Sequence, residues 1–302
     1  MSVTDLNRRQ LLGTSAAIAA TSALPAQAES HDHSGGDFEL TELRDGIWRT
    51  RDERHTGLLI DTDEGILLFD TLNLPFAKWL NGQIAERFNK PVKWVVYSHN
   101  HADHVSGGQA FEGHNPRYLS HSLARESMAR MKVDTRLPDE TFEQRFDILL
   151  GARKIELRYH GPNDGRGSIS LLVPENRVIS AIDWLLIGRM PYRDLARYDV
   201  EGMIRSLHEI DQLDWDLASP GHADVGDKEG MRIVRRYLEA VRDGVVAGIN
   251  DETAIDDLLP ALRSDLASVP EFANLAQFDN WVELNIRGVH AQIARVEGHM
   301  DG

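Results

Sequence analysis

Four potential metal ligands fall within six residues in the first half of the chain. His99, His101, Asp103 and His104 directly follow the largely apolar run 92–97 and directly precede a Gly-Gly pair at 107–108. Neutral imidazoles and a carboxylate are donors that suit Zn²⁺, Fe²⁺ or Mn²⁺. Because alternate side chains of an extended segment point to opposite sides, one segment can direct ligands at two ions. The alternative is a polar surface loop, which requires the four residues to coincide by chance among only 13 histidines in 302 residues.

The first 28 residues have the composition of an export signal. A twin-arginine core at 7–12, with Arg8 and Arg9, is followed by a small, apolar stretch at 13–24 and by the small-x-small cleavage pattern Ala26-Gln27-Ala28. A membrane span is the alternative, but hydroxyl side chains interrupt a stretch that is short for crossing a bilayer. We expect residues 1–28 to be a signal peptide for the bacterial twin-arginine export machinery. A flexible mature N-terminus at 29–38, release from the membrane and a periplasmic location would follow.

Charge and cysteine content exclude several classes of protein. The formal net charge is −15 and no long run of Lys or Arg is present, whereas a nucleic-acid-binding protein needs a basic face to neutralise phosphates. No cysteine is present, which excludes disulfides, thiolate metal sites and cysteine nucleophiles. We therefore expect a small-molecule substrate and a metal centre built from nitrogen and oxygen ligands.

Hydrophobic periodicity predicts alternating strands and helices, followed by a helical C-terminal part. The expected strands are 47–50, 56–61, 65–70, 92–97, 117–120, 154–159, 168–173, 177–182 and 217–218, and the expected helices are 75–88, 122–132, 199–211, 228–248 and 279–296. Residues 135–146 are polar and irregular, which is typical of a surface loop over a cleft. The pattern predicts an α+β domain at 39–226 with a helical C-terminal extension at 227–302 that packs on it.

Three more candidate ligands lie further along the chain. Asp183 ends the apolar run 178–182, where a carboxylate is costly to desolvate unless a cation or a donor meets it; it could instead cap the next turn. His222 follows a short strand in Pro-Gly-His and is either a ligand or an ordinary loop histidine. Asp164 lies in the turn Gly-Pro-Asn-Asp at 161–164.

The order of these motifs resembles the metallo-β-lactamase superfamily over roughly residues 39–225. The resemblance implies a four-layer αββα sandwich of two mixed β-sheets flanked by helices. It also implies that His99 and His101 hold a first metal ion, while Asp103, His104 and His222 hold a second. Asp183 would bridge the two ions.

The chain departs from that family pattern at one ligand position. The family usually supplies a third histidine to the first ion from a Gly-Pro-x-His loop, and here Asp164 takes the matching place. His160, four residues earlier, is the rival third ligand. Two histidines with one carboxylate also suit Fe²⁺, so Zn(II) is the leading expectation and Fe or Mn are the alternatives.

Two divalent ions would favour hydrolysis by a metal-bridged hydroxide, because coordination lowers the pKa of water towards neutrality. Asp103 would orient or deprotonate that hydroxide during attack on an ester, a lactone or a related bond. Substrate contacts are expected from the loop 184–198, where Arg189, Tyr192 and Arg193 could pair with an anionic group or donate to an oxyanion. The alternatives are an iron-dependent oxidoreductase on the same fold and a non-enzymatic metal-binding protein with a decayed first site.

Overall fold

A computed structural model describes residues 37–296, and seven of their strands form a first sheet in sequential order. The pairs from β1 to β4 are antiparallel, whereas those from β4 to β7 are parallel. The strands are β1 (Glu39–Arg44), β2 (Ile47–Arg51), β3 (Thr56–Thr62), β4 (Gly65–Phe69), β5 (Val92–Tyr97), β6 (Arg117–His121) and β7 (Glu140–Phe142).

A second sheet of five strands lies in the order β12-β11-β10-β9-β8. The pairs from β8 to β11 are antiparallel and β12 adds in parallel to β11, so this sheet is also mixed. Its strands are β8 (Arg145–Leu150), β9 (Arg153–Tyr159), β10 (Ile169–Val173), β11 (Val178–Ser180) and β12 (Leu217–Ala218).

The helices connect the parallel strands and then form the C-terminal part. Asn73 caps the first helix by accepting from the backbone N–H of Phe76 at 3.0 Å, and a proline stands in the first turn. A π-helical segment, Ile84–Phe88, extends it. The helices are α1 (Leu74–Gln83), α2 (Ala102–Val105), α3 (Ser122–Met131), α4 (Val200–Asp211), α5 (Lys228–Asn250), α6 (Ile255–Ala267), α7 (Pro270–Ala273) and α8 (Phe278–Val296).

Strand alternation distributes the apolar side chains over three layers of core. On β3, Leu58 and Ile60 pack between the two sheets, while Leu59 faces the opposite side with Phe76 of α1. The outer face of the second sheet is covered by α4, α5 and α8. These layers confirm the predicted fold class, two mixed sheets flanked by helices with a helical C-terminal region.

The prediction that residues 135–146 form a surface loop was wrong in part, since this segment contains β7 and the start of β8. Both strands lie at the edge of a sheet, and β8 leaves half of its side chains exposed, so neither carries the apolar run that marks a central strand. The edge strand β1 and helix α6, which contains Pro260, were not predicted.

The C-terminal helices share one core with α4 and the loop that precedes it. Leu238 of α5 and Ile286 of α8 belong to the same buried cluster as Leu207 of α4. No helix within residues 37–296 has the length and apolarity that a membrane span requires. The predicted signal peptide at 1–28 and nearly all of the predicted tail at 29–38 lie outside the described residues.

Candidate metal centre

The ligands predicted from sequence converge at the carboxyl end of β5. His99 and His101 follow this strand directly, and the single-turn helix α2 then carries Asp103 and His104. The backbone carbonyl of His104 accepts from the N–H groups of Thr71 and Leu72, which follow β4, at 3.1 and 2.9 Å. The ends of two neighbouring parallel strands are therefore tied together beneath the site.

A first group of donors contains His99, His101, Asp164 and Asp183, all buried, with one ligand atom of each within 4.8 Å of the others. Asp183 Oδ2 lies 3.1 Å from His99 Nε2 and 3.0 Å from His101 Nδ1. Asp164 Oδ2 lies 3.7 Å from the same His101 atom. The structure thus brings Asp164 of the Gly-Pro turn together with His99, His101 and Asp183.

A second group contains His104, Asp183 and His222. Asp183 Oδ1 lies 3.2 Å from His104 Nε2 and 2.8 Å from His222 Nε2. The two oxygens of one carboxylate therefore face two different pairs of histidines, His99 with His101 and His104 with His222. This is the arrangement that a carboxylate bridging two ions requires.

The backbone at Asp183 is built to place its carboxylate between the two groups. Its φ is +69°, in the left-handed region that costs energy for residues other than glycine, although aspartate tolerates it better than most. Gly221 lies beside it, and a Cβ there would be 2.7 Å from Ile182 Cγ2 and 3.0 Å from Asp183 Oδ1. Only glycine leaves room for the carboxylate at this point.

The fourth residue of the second predicted set, Asp103, lies on the open side of the site. Its side chain is 41% exposed, and Oδ2 is 3.9 Å from His104 Nε2 and 3.4 Å from His55 Nε2. His55, Asp103 and His222 form a third group of converging donors. The sequence did not predict His55, because a single histidine in the polar turn between β2 and β3 carries no local signal.

Hydrogen bonds fix the orientation of the ligand histidines. His222 Nδ1 lies 3.1 Å from the backbone carbonyl of Arg54, which can only accept, so Nδ1 donates and Nε2 is the ring nitrogen that faces Asp183. Ser98 links His99 Nδ1, at 2.7 Å, to the buried carboxylate of Asp70. Such outer partners are typical of metal-binding histidines, because they set the tautomer and the ring orientation.

The donor set fits two divalent cations. His222 Nε2 lies 2.8 Å from Asp183 Oδ1, so a positive charge, from a metal ion or from a proton on the imidazole, belongs between these two atoms. Burial and the neighbouring His101 lower the pKa of His99 to about 4, so this imidazole is neutral at pH 7. Asp164 Oδ2 and Asp183 Oδ1 are buried without a hydrogen-bond partner among the described residues. Divalent ions would satisfy these groups, whose unpaired burial costs several kcal/mol each by a rough estimate.

The rival ligand His160 is engaged elsewhere. Its Nδ1 lies 2.8 Å from Glu209 Oε2 on α4, and its Nε2 lies 2.8 Å from Ser170 Oγ on β10. Both ring nitrogens therefore link α4 to the second sheet. Of the two alternatives for the third ligand of the first group, the structure brings Asp164, and not His160, to His101.

The three predicted substrate contacts differ in their surroundings. Arg189 Nη1 donates to the backbone carbonyl of His222 at 2.6 Å, and its guanidinium lies 5.6 Å from the ring centre of Trp281, so it supports the ligand loop. Tyr192 is 41% exposed and packs edge-on against Trp281. Arg193 stacks over Tyr192 at 5.1 Å. Tyr192 and Arg193 are therefore exposed to solvent, whereas Arg189 is held against the loop of His222.

Comparison with known proteins identifies the family. The family model described as "Metallo-beta-lactamase superfamily" matches residues 50–222. The chain is 30% identical over 240 residues to the "2,4-dinitroanisole O-demethylase subunit alpha" of Nocardioides sp. (strain JS1661), covering 78% of this chain and 69% of that protein. It is 22% identical over 241 residues to the "Metallo-beta-lactamase type 2" of Bacillus sp. (strain 170), covering 72% and 90%.

A solved structure agrees with this match. The "Metallo-beta-lactamase from Pontibacter korlensis" superposes with a TM-score of 0.62 at 19% identity, over 67% of this chain and 99% of that one. The similarity shows a shared fold, and the family model covers the segment that carries all the candidate ligands. The chain belongs to the metallo-β-lactamase superfamily.

Proposed function

We propose that this protein is an exported dinuclear metallohydrolase that cleaves an ester, a lactone or a related activated C–O bond. One observation carries the proposal. The two oxygens of Asp183 lie at 2.8–3.2 Å from two separate pairs of histidine nitrogens, which suits a carboxylate shared by two ions.

The residues divide into two ligand sets. His99, His101 and Asp164 would hold the first ion, and Asp103, His104 and His222 would hold the second, with Asp183 common to both. Two divalent ions, with Zn(II) the leading expectation and Fe or Mn the alternatives, supply Lewis acidity and lower the pKa of water towards neutrality.

The chain's own residues contribute orientation and charge. Asp103 has the most exposed carboxylate among the candidate ligands, and it can accept a hydrogen bond from the attacking water and orient it towards the substrate. Tyr192 can donate to a developing oxyanion, and Arg193 can pair with an anionic group of the substrate. Arg189 acts indirectly, because its guanidinium holds the backbone of His222.

The most similar curated relative considered above favours an oxygen leaving group. Its name describes removal of a methyl group from 2,4-dinitroanisole, which is the methyl ether of an electron-poor phenol. An aryl ester releases the same kind of stabilised phenolate. We therefore place aryl esters first among the candidate substrates, with lactones next.

A substrate panel tests the proposal directly. The zinc-loaded mature protein would be assayed with p-nitrophenyl acetate, a γ-lactone, p-nitrophenyl sulfate and bis-p-nitrophenyl phosphate. We expect turnover of the ester or the lactone that is lost on chelation, restored by Zn²⁺ and greatly reduced in Asp103→Asn. His208→Gln, which changes an exposed histidine of α4, should leave the rate unchanged. Two bound ions without turnover of any of the four would refute the hydrolase proposal.

Asp164 favours one alternative function. It forms a two-histidine, one-carboxylate set with His99 and His101, and such sets also hold Fe²⁺ in oxidoreductases. Iron in the purified protein together with oxygen consumption would support that alternative. Hydrolysis by colourless, zinc-loaded protein under anaerobic conditions would exclude it.

Export is part of the proposal and rests on the sequence at 1–28. We expect N-terminal sequencing of protein from the periplasm to begin near Glu29. Replacing Arg8 and Arg9 together by lysine should retain the protein in the cytoplasm. Periplasmic protein with an intact Met1 would contradict cleavage.

A further inference from the structure

His55 brings a donor to the candidate metal centre that the family pattern does not include. Its Nε2 lies 3.4 Å from Asp103 Oδ2, and its ligand atom lies within 4.8 Å of those of Asp103 and His222. Its ring lies edge-on to His104 and His222, with ring centres 5.3 and 5.1 Å apart. It therefore faces the same space as the three residues of the second ligand set.

The other nitrogen of His55 has the partner that a metal-binding histidine needs. Nδ1 lies 3.0 and 3.3 Å from the two oxygens of Asp52. With Nδ1 donating to this carboxylate, the Nε2 lone pair faces the site, as in the carboxylate–histidine pairs that surround protein metal ions.

Asp52 is itself held in place. Its Oδ1 accepts from the backbone N–H groups of Arg54 and His55 at 3.0 and 2.7 Å, and its Oδ2 accepts from Asn73 Nδ2 at 2.7 Å. The side chain is almost fully buried. Because Asn73 also caps α1, the carboxylate that orients His55 is fixed from two directions.

The turn that carries His55 is fixed to the loop that carries His222. The backbone N–H of Thr56 donates to the carbonyl of Gly221 at 2.9 Å, and the Thr56 hydroxyl donates to the carbonyl of Pro220. His222 Nδ1 donates to the carbonyl of Arg54 at 3.1 Å. His55 and His222 are thus held in a fixed relation whether or not an ion is bound.

We propose that His55 is a further protein ligand of the second ion, beside Asp103, His104 and His222, and that Asp52 positions it. The inference rests on the proposed dinuclear centre and deepens it. It explains why His55 lies between two aspartates, the buried Asp52 and the more exposed Asp103. Without an ion, the same contacts would make His55 a protonated partner of both carboxylates, which is the competing explanation.

Zinc binding measured against a chromophoric chelator separates these explanations. The variants are His55→Gln and Asp52→Asn, with His208→Gln as the matched histidine control. We expect His55→Gln to keep the first ion and to bind the second about 100-fold more weakly, and Asp52→Asn to weaken the second about 10-fold, the range found for outer partners of metal ligands. The control should bind both ions as the unchanged protein does.

Cobalt substitution and X-ray absorption give readouts that do not depend on activity. Loss of a ligand should change the visible absorption of the second Co²⁺ in His55→Gln. In the unchanged protein, zinc X-ray absorption should show five imidazoles for two ions, and not four. Zinc binding by Asp52→Asn provides the test if His55→Gln fails to fold, because this variant keeps His55 and changes only the partner of its Nδ1.

Two results would overturn the inference, and they are distinguishable. Equal affinity and an equal cobalt spectrum in His55→Gln, with two ions in the unchanged protein, would remove His55 from the ligands and leave the dinuclear centre standing. Fewer than two ions in the unchanged protein would refute the proposed centre, and the role of His55 with it.

Discussion

Asn285 of α8 holds the loop that carries the candidate substrate contacts, and its replacement by leucine should release that loop. The side chain is fully buried. Its amide nitrogen donates to the backbone carbonyls of Pro191, at 3.1 Å, and of Arg193, and its oxygen accepts from the Tyr237 hydroxyl at 3.0 Å. One side chain thus fixes the backbone on both sides of Tyr192.

The size of the effect follows from these three bonds. Leucine has the same number of side-chain heavy atoms and the same branching as asparagine, but it leaves two carbonyls and one phenol hydroxyl without this partner. An unsatisfied buried polar group costs about 1–3 kcal/mol, and partial access of water to the loop reduces the sum, so we expect Asn285→Leu to lower the free energy of unfolding by about 3–5 kcal/mol.

Urea unfolding followed by circular dichroism measures this loss, and limited trypsin digestion measures the release of the loop at Arg193. Asn280→Leu is the matched control, because Asn280 is exposed near the start of the same helix and bonds only with Gln277 among the described side chains. We expect the control to change stability by less than about 0.5 kcal/mol. If Asn285→Leu is as stable as the control and no more sensitive to trypsin, α8 does not hold the loop.

Three further predictions concern stability. Gly82→Ala should stabilise the protein by about 0.5–1 kcal/mol, because Gly82 lies in α1 with open space around it. Gly288→Ala should destabilise it by about 1–3 kcal/mol, because a Cβ there would lie 1.9 Å from the carbonyl oxygen of Asp194. Urea unfolding measures both changes in stability, and changes of the same sign would refute the packing argument. Burial alone would raise the pKa of Asp211, but hydrogen bonds from two arginines of α5 lower this pKa below its ordinary value. The ionised Asp211 therefore stabilises the folded protein above about pH 4, and this stabilisation is lost as the pH falls through the lower folded-state pKa. Asp211→Asn should therefore lower the free energy of unfolding by about 1–3 kcal/mol at pH 7, and the difference in stability between the two proteins should narrow below about pH 4. A difference in stability that does not change with pH would contradict the role of the ion pairs. Chelation should lower the melting temperature, since an ion at a hundredfold excess over its Kd contributes roughly 3 kcal/mol, and an unchanged melting curve with EDTA would argue against structural coupling of the ions.

Local sequence was sufficient to locate the candidate ligands that follow the ends of apolar strands. His99 to His104 come directly after β5, and Asp183 comes shortly after β11, so the strand pattern itself indicated where these side chains would lie. The observed bounds of β5 and β12 are those predicted. The edge strands β1, β7 and β8 were missed because their exposed side chains remove the apolar periodicity on which prediction depends.

The direction of a side chain and its contacts with distant parts of the chain could not be predicted in the same way. His55 reaches the site only because the turn after β2 bonds to the loop before His222, and these two segments are more than 160 residues apart. Arg189 was expected to face a substrate, yet it bonds the backbone of His222. A polar residue in a loop reveals its chemistry in the sequence, but its partner is set by tertiary structure.

In the proposed centre, Asp183 joins two metal ions. The most direct test is the metal content of the purified mature protein after gel filtration, measured by inductively coupled plasma mass spectrometry beside Asp183→Asn. We expect two divalent ions per chain in the unchanged protein and a clear loss in the variant. Less than about one ion per chain in zinc-supplemented protein, or the same content in both proteins, would contradict the proposed centre.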